Sequence, residues 1–197
     1  VPLDRIIASA LAIIDEQGPE ALSMRSLAQR LNSSTATLYR HFASRAALIA
    51  QVVDAVIGEV DLGPSDLRDQ PWQQACEATA HAMFDALRRH PRVAPLMIEQ
   101  IPLGPNAFAQ RERALAMLLD AGFAPPVAVR AWATLARYVL GFAIQFNADD
   151  RDRAPVEWPD IAGPFPASAA VAEHVPVPLE EEVAFGLRLL LSGLAQA

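Results

Sequence analysis

The stretch that decides the fold runs Ala21-Leu22-Ser23-Met24-Arg25-Ser26-Leu27-Ala28-Gln29-Arg30-Leu31-Asn32-Ser33-Ser34-Thr35-Ala36-Thr37-Leu38-Tyr39-Arg40-His41-Phe42-Ala43-Ser44-Arg45-Ala46-Ala47-Leu48. Ser23 is placed to cap a short helix over 24–31, whose Met24, Leu27, Ala28 and Leu31 fall on one face. Asn32-Ser33-Ser34 then makes a tight turn, because short polar side chains satisfy exposed backbone groups. A further helix follows at about 35–41, anchored by Leu38, Tyr39 and Phe42, and Ser44 caps another that carries Ala47, Leu48, Val52 and Val56. Upstream, Leu3 to Gln17 carries Ile6, Ala10, Ile13 and Ile14 on one face and stops at Gly18-Pro19. Two short helices joined by a tight turn inside a three-helix cluster describe a helix-turn-helix.

Charge points the same way. Residues 21–53 contain no Asp or Glu, yet hold Arg25, Arg30, Arg40, Arg45 and His41, in a chain whose net charge is −7. A local positive face is what phosphate binding requires; the bland alternative is a chance solvated surface. The acidic balance of the whole excludes a protein that coats nucleic acid or anionic membrane over its entire surface.

The 197 residues suffice to bury a real core, and 52% hydrophobic with 20% charged residues exclude extensive disorder. No run of alternating β-branched residues occurs, so the fold class is all-α. The expected organisation is a helix-turn-helix domain over 1–48 and a larger helical domain over 49–197. The lone cysteine, Cys76, excludes an internal disulfide framework and fits a reducing cytoplasm. No apolar stretch reaches the roughly 18 residues of a membrane span, the richest, 131–144, being broken by Arg137. Val1–Arg5 lacks a secretory pattern.

The segments Ala21–Ala28, Thr37-Leu38-Tyr39-Arg40-His41-Phe42 and Ser44–Leu48 together resemble the DNA-binding domain of TetR-type transcriptional regulators, over about residues 3–50 and without gaps. The resemblance implies that the helix at 35–41 enters the major groove N-terminal end first, with Ser34, Thr35, Ala36 and Thr37 nearest the bases. Arg25 matches a position that reaches a base edge or a phosphate. Tyr39, His41 and Arg45 match phosphate-contacting positions, which set register rather than sequence. Arg40 faces either the groove edge or the backbone. Tyr39 has a plainer reading as half-buried core with a wet hydroxyl, and His41 as a helix-end residue favoured by the dipole.

The resemblance also implies a homodimer, paired through the helices at about 126–147 and 179–195, on a palindromic operator in double-stranded DNA. The first of these helices carries Val127, Val129, Trp132, Leu135, Tyr138, Val139, Phe142 and Phe146 on more than one face. The second carries Val183, Phe185, Leu187, Leu189, Leu190, Leu191 and Leu194 behind an acidic start, Glu180–Glu182. An intramolecular core helix is the alternative.

Trp72-Gln73, Leu119–Phe123, Val139–Phe142 and Phe185-Gly186-Leu187 are similar in order to the tetracycline-repressor branch. Gln100–Pro105 places a proline where that branch has its metal-coordinating histidine, so a tetracycline–magnesium ligand, or any metal or cofactor, is not expected. An apolar effector pocket would draw on Trp72, Thr79, Met83, Met97, Ile98, Phe108, Met117, Trp132 and Phe146, residues that equally suit a plain core. His81 and Asp85, four apart, lack a third metal ligand. Asp149–Asp152 reads as a solvated loop. The Pro-rich segment 153–178, with Trp158 and Phe165, either covers a pocket entrance or embraces a partner subunit.

The expected function is a ligand-responsive repressor released from its operator by a small molecule. The competing readings are a DNA-bound regulator answering to a protein partner and an all-α enzyme. The second finds no nucleophile elbow, phosphate loop, HExxH or CxxC pattern, with Glu99 and His90 as loose candidates only.

Overall fold

Ile6, Ala10, Ile13 and Ile14, which share one helical face, are all buried on α1 (Leu3–Gln17). Gly18 ends this helix at φ 92°, a conformation that favours glycine, and its amide donates to the Ile14 carbonyl at 2.8 Å. These features come from a computed structural model that describes residues 1–62, 70–99, 101–146 and 165–197. Gln100, Trp158 and the Asp149–Asp152 run therefore lie outside the described residues.

After a 3₁₀ turn at Pro19–Ala21 comes α2 (Met24–Arg30), opened by a reciprocal cap. The Ser26 amide donates to Ser23 Oγ at 3.0 Å and the Ser23 amide to Ser26 Oγ at 2.9 Å. The helix closes through Asn32, which takes the left-handed φ of 48°. Ser33 then donates to the Ala28 carbonyl at 2.9 Å and Asn32 to that of Gln29 at 3.1 Å. This is a Schellman closure with asparagine in the usual glycine place, and it forms the turn of the helix-turn-helix.

The next helix, α3, covers Thr35–Tyr39, two residues short of the expected 35–41. His41 and Phe42 both donate to the Leu38 carbonyl, so the chain tightens there and brings Phe42 inward. Leu38 and Phe42 are the anchors; Tyr39 is not, being 56% exposed. Ser44 caps α4 (Arg45–Gly58) by accepting the Ala47 amide at 3.1 Å.

The remaining helices are α5 (Trp72–Arg89), α6 (Leu96–Glu99), α7 (Pro105–Asp120), α8 (Pro125–Ala143), α9 (Pro166–Ala170) and α10 (Leu179–Leu194). No strand occurs among the described residues. Prolines open α7, α8 and α9, where a missing amide hydrogen costs nothing. α8 ends earlier than expected, at Ala143, and Phe146 follows in a turn. One continuous set of buried side chains runs from Ile6 on α1 to Leu191 on α10. The head and the C-terminal bundle thus share a core, with α4 running out of one into the other.

α10 packs on α8 at one close approach. The Tyr138 hydroxyl donates to the Val183 carbonyl at 2.8 Å, and a Cβ on Gly186 would lie 2.3 Å from that hydroxyl. Burial pushes the Tyr138 phenol above its ordinary range, with a small contribution from the Glu182 charge. Val183, Leu187 and Leu191 face inward, whereas Phe185 and Leu189, one turn apart, are 58% and 59% exposed. No helix among the described residues is long and apolar enough to cross a membrane.

Candidate nucleic-acid interface and effector pocket

The serine turn presents α3 outward. Ser34 caps it by accepting the Thr37 amide at 3.2 Å, and the two hydroxyls pair at 3.0 Å. Ser34, Thr35 and Ala36 are exposed and Thr37 is half-buried. Two of the four residues expected nearest the bases therefore also hold the start of the helix. Tyr39, Arg40 and His41 stand exposed at its other end, and Arg25 is exposed at the start of α2.

Two arginines of the basic segment are engaged within the fold. Arg30 makes a bidentate pair with Glu16 on α1, at 2.6 and 2.7 Å, and its hydrogen bonds hold the Glu16 carboxyl below the usual range. Glu16 lies outside the acid-free 21–53 window, so Arg30 adds no unpaired charge to the positive face that the sequence suggests. Arg45 donates through Nε to the Leu22 carbonyl at 2.6 Å and through Nη2 to that of Pro19. It ties the start of α4 to the loop before α2. The cations left without an ion pair among the described residues of this face are Arg25, Arg40 and Arg45.

Behind the head, a cavity of about 510 Å³ lies between α4, α5, α6, α7 and α8. Thr79, Met83, Met97, Ile98, Phe108, Met117 and Trp132 line it. Trp72 and Phe146 do not line it. Trp72 stands edge-on to Phe123 at 4.9 Å, and Phe146 to Phe84 at 5.5 Å, so both fasten helix ends outside the cavity. Sequence reasoning missed Val56 and Ile57 on α4, Val60 just beyond it, and Gln110 and Arg111 on α7. A signal for Arg111 existed: it lies three residues from both Phe108 and Ala114, so it neighbours each of them on the helix surface. Cys76 also lines the cavity, and burial pushes its thiol up to about 11.

Two polar joints connect head and pocket. Asp54 on α4, only 4% exposed, accepts the amides of Asn106 and Ala107 and so caps α7. The Asn106 side chain returns a hydrogen bond to the Asp54 carbonyl at 3.1 Å. At the other joint, His90 Nδ1 lies 2.8 Å from Asp15 of α1, and Nε2 lies 3.1 Å from Glu59 at the end of α4. His90, a loose catalytic candidate in the sequence, thus fastens three helices. His81 pairs within α5 with Glu77 at 3.9 Å. Among the described residues no group of three or more His, Cys, Asp or Glu could hold a metal ion.

Residues 6–52 match the family model described as bacterial regulatory proteins, tetR family, and residues 64–197 match that described as tetracyclin repressor-like, C-terminal domain. The chain is 31% identical over 207 residues to the HTH-type transcriptional repressor DrrR1 of Streptomyces coeruleorubidus, covering 98% of this chain and 76% of that protein. It is 29% identical over 195 residues to the class E tetracycline repressor protein of Escherichia coli, covering 98% and 90%. Its fold is similar to that of the Streptomyces coelicolor TetR family protein ActR in complex with actinorhodin. There the TM-score is 0.85 at 28% identity, with 100% of this chain and 98% of that chain covered.

Proposed function

The chain belongs to the TetR family of DNA-binding transcriptional repressors, which are not enzymes, and from that premise we propose that it is a cytoplasmic homodimer released from a palindromic operator by a small-molecule effector. The observation that carries the effector half of this reading is the cavity walled by Val56 and Ile57 of α4 and by Val60 just beyond its end. An occupant touches the very helix that leaves the DNA-reading head. A protein partner acting on a collapsed core would need no such volume.

The coupling runs through named contacts. α4 is fixed to α7 by Asp54 and to α1 and α5 by the His90 cluster. An effector that prefers one placement of α6 and α7 therefore prefers one placement of α4 and its head. DNA prefers the other, so effector and operator affinities oppose one another reciprocally. Dimer pairing through α8 and α10 suits the exposed Phe185 and Leu189, joined by Val129 of α8 at 50% exposure. The two heads would then stand about 34–36 Å apart to meet successive major grooves.

On DNA, Thr35 and Ala36 would approach the bases, with Ser34 and Thr37 holding the helix start beside them. Arg25 would reach a base edge or phosphate, Tyr39, His41 and Arg45 the backbone, and Arg40 either the groove edge or the backbone. Because the chain is acidic overall, binding would depend on two heads engaging together and would weaken steeply with salt. The test is to tile the DNA flanking the protein's own gene and weigh the complexes by native mass spectrometry. Two chains on one palindromic tile support the reading; a single chain on every tile alike contradicts it.

A further inference from the structure

The proposed effector cavity carries ionic charge of one sign. Its described lining includes Arg111 and Arg137 and no carboxylate, although the chain as a whole has 23 acidic and 16 basic residues. Arg137 is exposed and donates to the Ala133 carbonyl of its own helix at 3.3 Å. Arg111 is placed differently. It is half-buried on α7, with its guanidinium 4.3 Å from the Phe108 ring centre and 5.7 Å from that of Trp132. Among the described residues it has no carboxylate partner. A delocalised guanidinium tolerates an aromatic bed better than an ammonium would, but its charge remains unanswered.

We propose that the effector is a planar aromatic anion, carrying a carboxylate or an ionised phenol or enol. The anionic group bonds Arg111, and the rings lie along Phe108, Trp132 and Met117. A volume of about 510 Å³ suits a few fused or linked rings. This rests on reading the cavity as the effector site.

The test uses two fluorescent probes with one aromatic body on the full chain: 1-anilinonaphthalene-8-sulfonate, an anion, and N-phenyl-1-naphthylamine, its neutral counterpart. At ~150 mM salt the anion is expected to bind about tenfold more tightly, and the probes to displace one another. Arg111→Gln is expected to erase that preference while leaving the neutral probe within about twofold of its original affinity. Equal binding of the two probes, an unchanged preference in Arg111→Gln, or failure to compete would each overturn the proposal. If Arg111→Gln loses both probes, Arg111→Lys decides: a recovered anion preference supports it and a missing one overturns it. DNA binding by the same preparations is measured separately, and its loss contradicts the regulator reading rather than the pocket chemistry.

Discussion

Asp54 receives the Ala107 amide proton at 2.9 Å, so a buried carboxylate on the helix leaving the head caps the helix that walls the pocket. The contact is tight: a Cβ on Gly104 would lie 2.1 Å from Asp54 Cγ. Asp54→Ala leaves the first amides of α7 without an acceptor and should lower stability by about 2 kcal/mol, measured by urea denaturation. It should also blunt effector-driven release from the operator while leaving operator binding itself in place. Unchanged release would mean that α4 takes its signal elsewhere.

Arg45 and Tyr39 separate architecture from DNA contact. Arg45 holds the Leu22 and Pro19 carbonyls, so Arg45→Ala should lower both the melting temperature and operator affinity. Tyr39 is 56% exposed, so Tyr39→Ala should weaken operator binding with thermal stability moved by less than ~0.5 kcal/mol. A paired scanning-calorimetry and DNA-binding measurement on the two variants checks the split.

Much of the head was legible because its signals are local. Helix starts are written in Ser23 and Ser44, and the core face of α1 in its four apolar positions. What could not be read is contact at long separation. Nothing near Arg30 announces Glu16, fourteen residues earlier. Nothing near Asp54 announces Ala107, and Asp54 looks in sequence like any solvated carboxylate. Trp72 and Phe146 are apolar at helical spacing like the true lining residues; only tertiary packing decides which side of a helix wall they take.

The exposed pair on α10 gives a prediction about assembly. Phe185→Glu with Leu189→Glu places two charges where the partner helix is expected, and sedimentation velocity should find a monomer that keeps its helical signal. Gly186→Ala acts inside one chain instead, forcing Tyr138 away from α10, and should lower thermal stability.

Cys76 yields a pH prediction. Its thiol is held at about 11, against 9.0 for an unburied thiol, so the unfolded chain loses this proton first as pH rises. Its contribution to stability is therefore full below pH 9 and is lost as pH rises through about 11. A thiol reagent at pH 8 should label the folded protein slowly and the urea-unfolded protein quickly. Fast labelling of the folded state would contradict the buried position.

The central claim is that the α2–α3 surface reads one operator. Its most direct test is fluorescence anisotropy of wild type and Arg25→Ala on tiled flanking DNA over a salt series. The account predicts one tile bound far more tightly than the rest, with a steep salt dependence. It further predicts that Arg25→Ala costs about 1–3 kcal/mol if Arg25 meets a base, or lowers the salt slope by about one if it meets a phosphate. Equal weak binding to every tile, unchanged in Arg25→Ala, would contradict it.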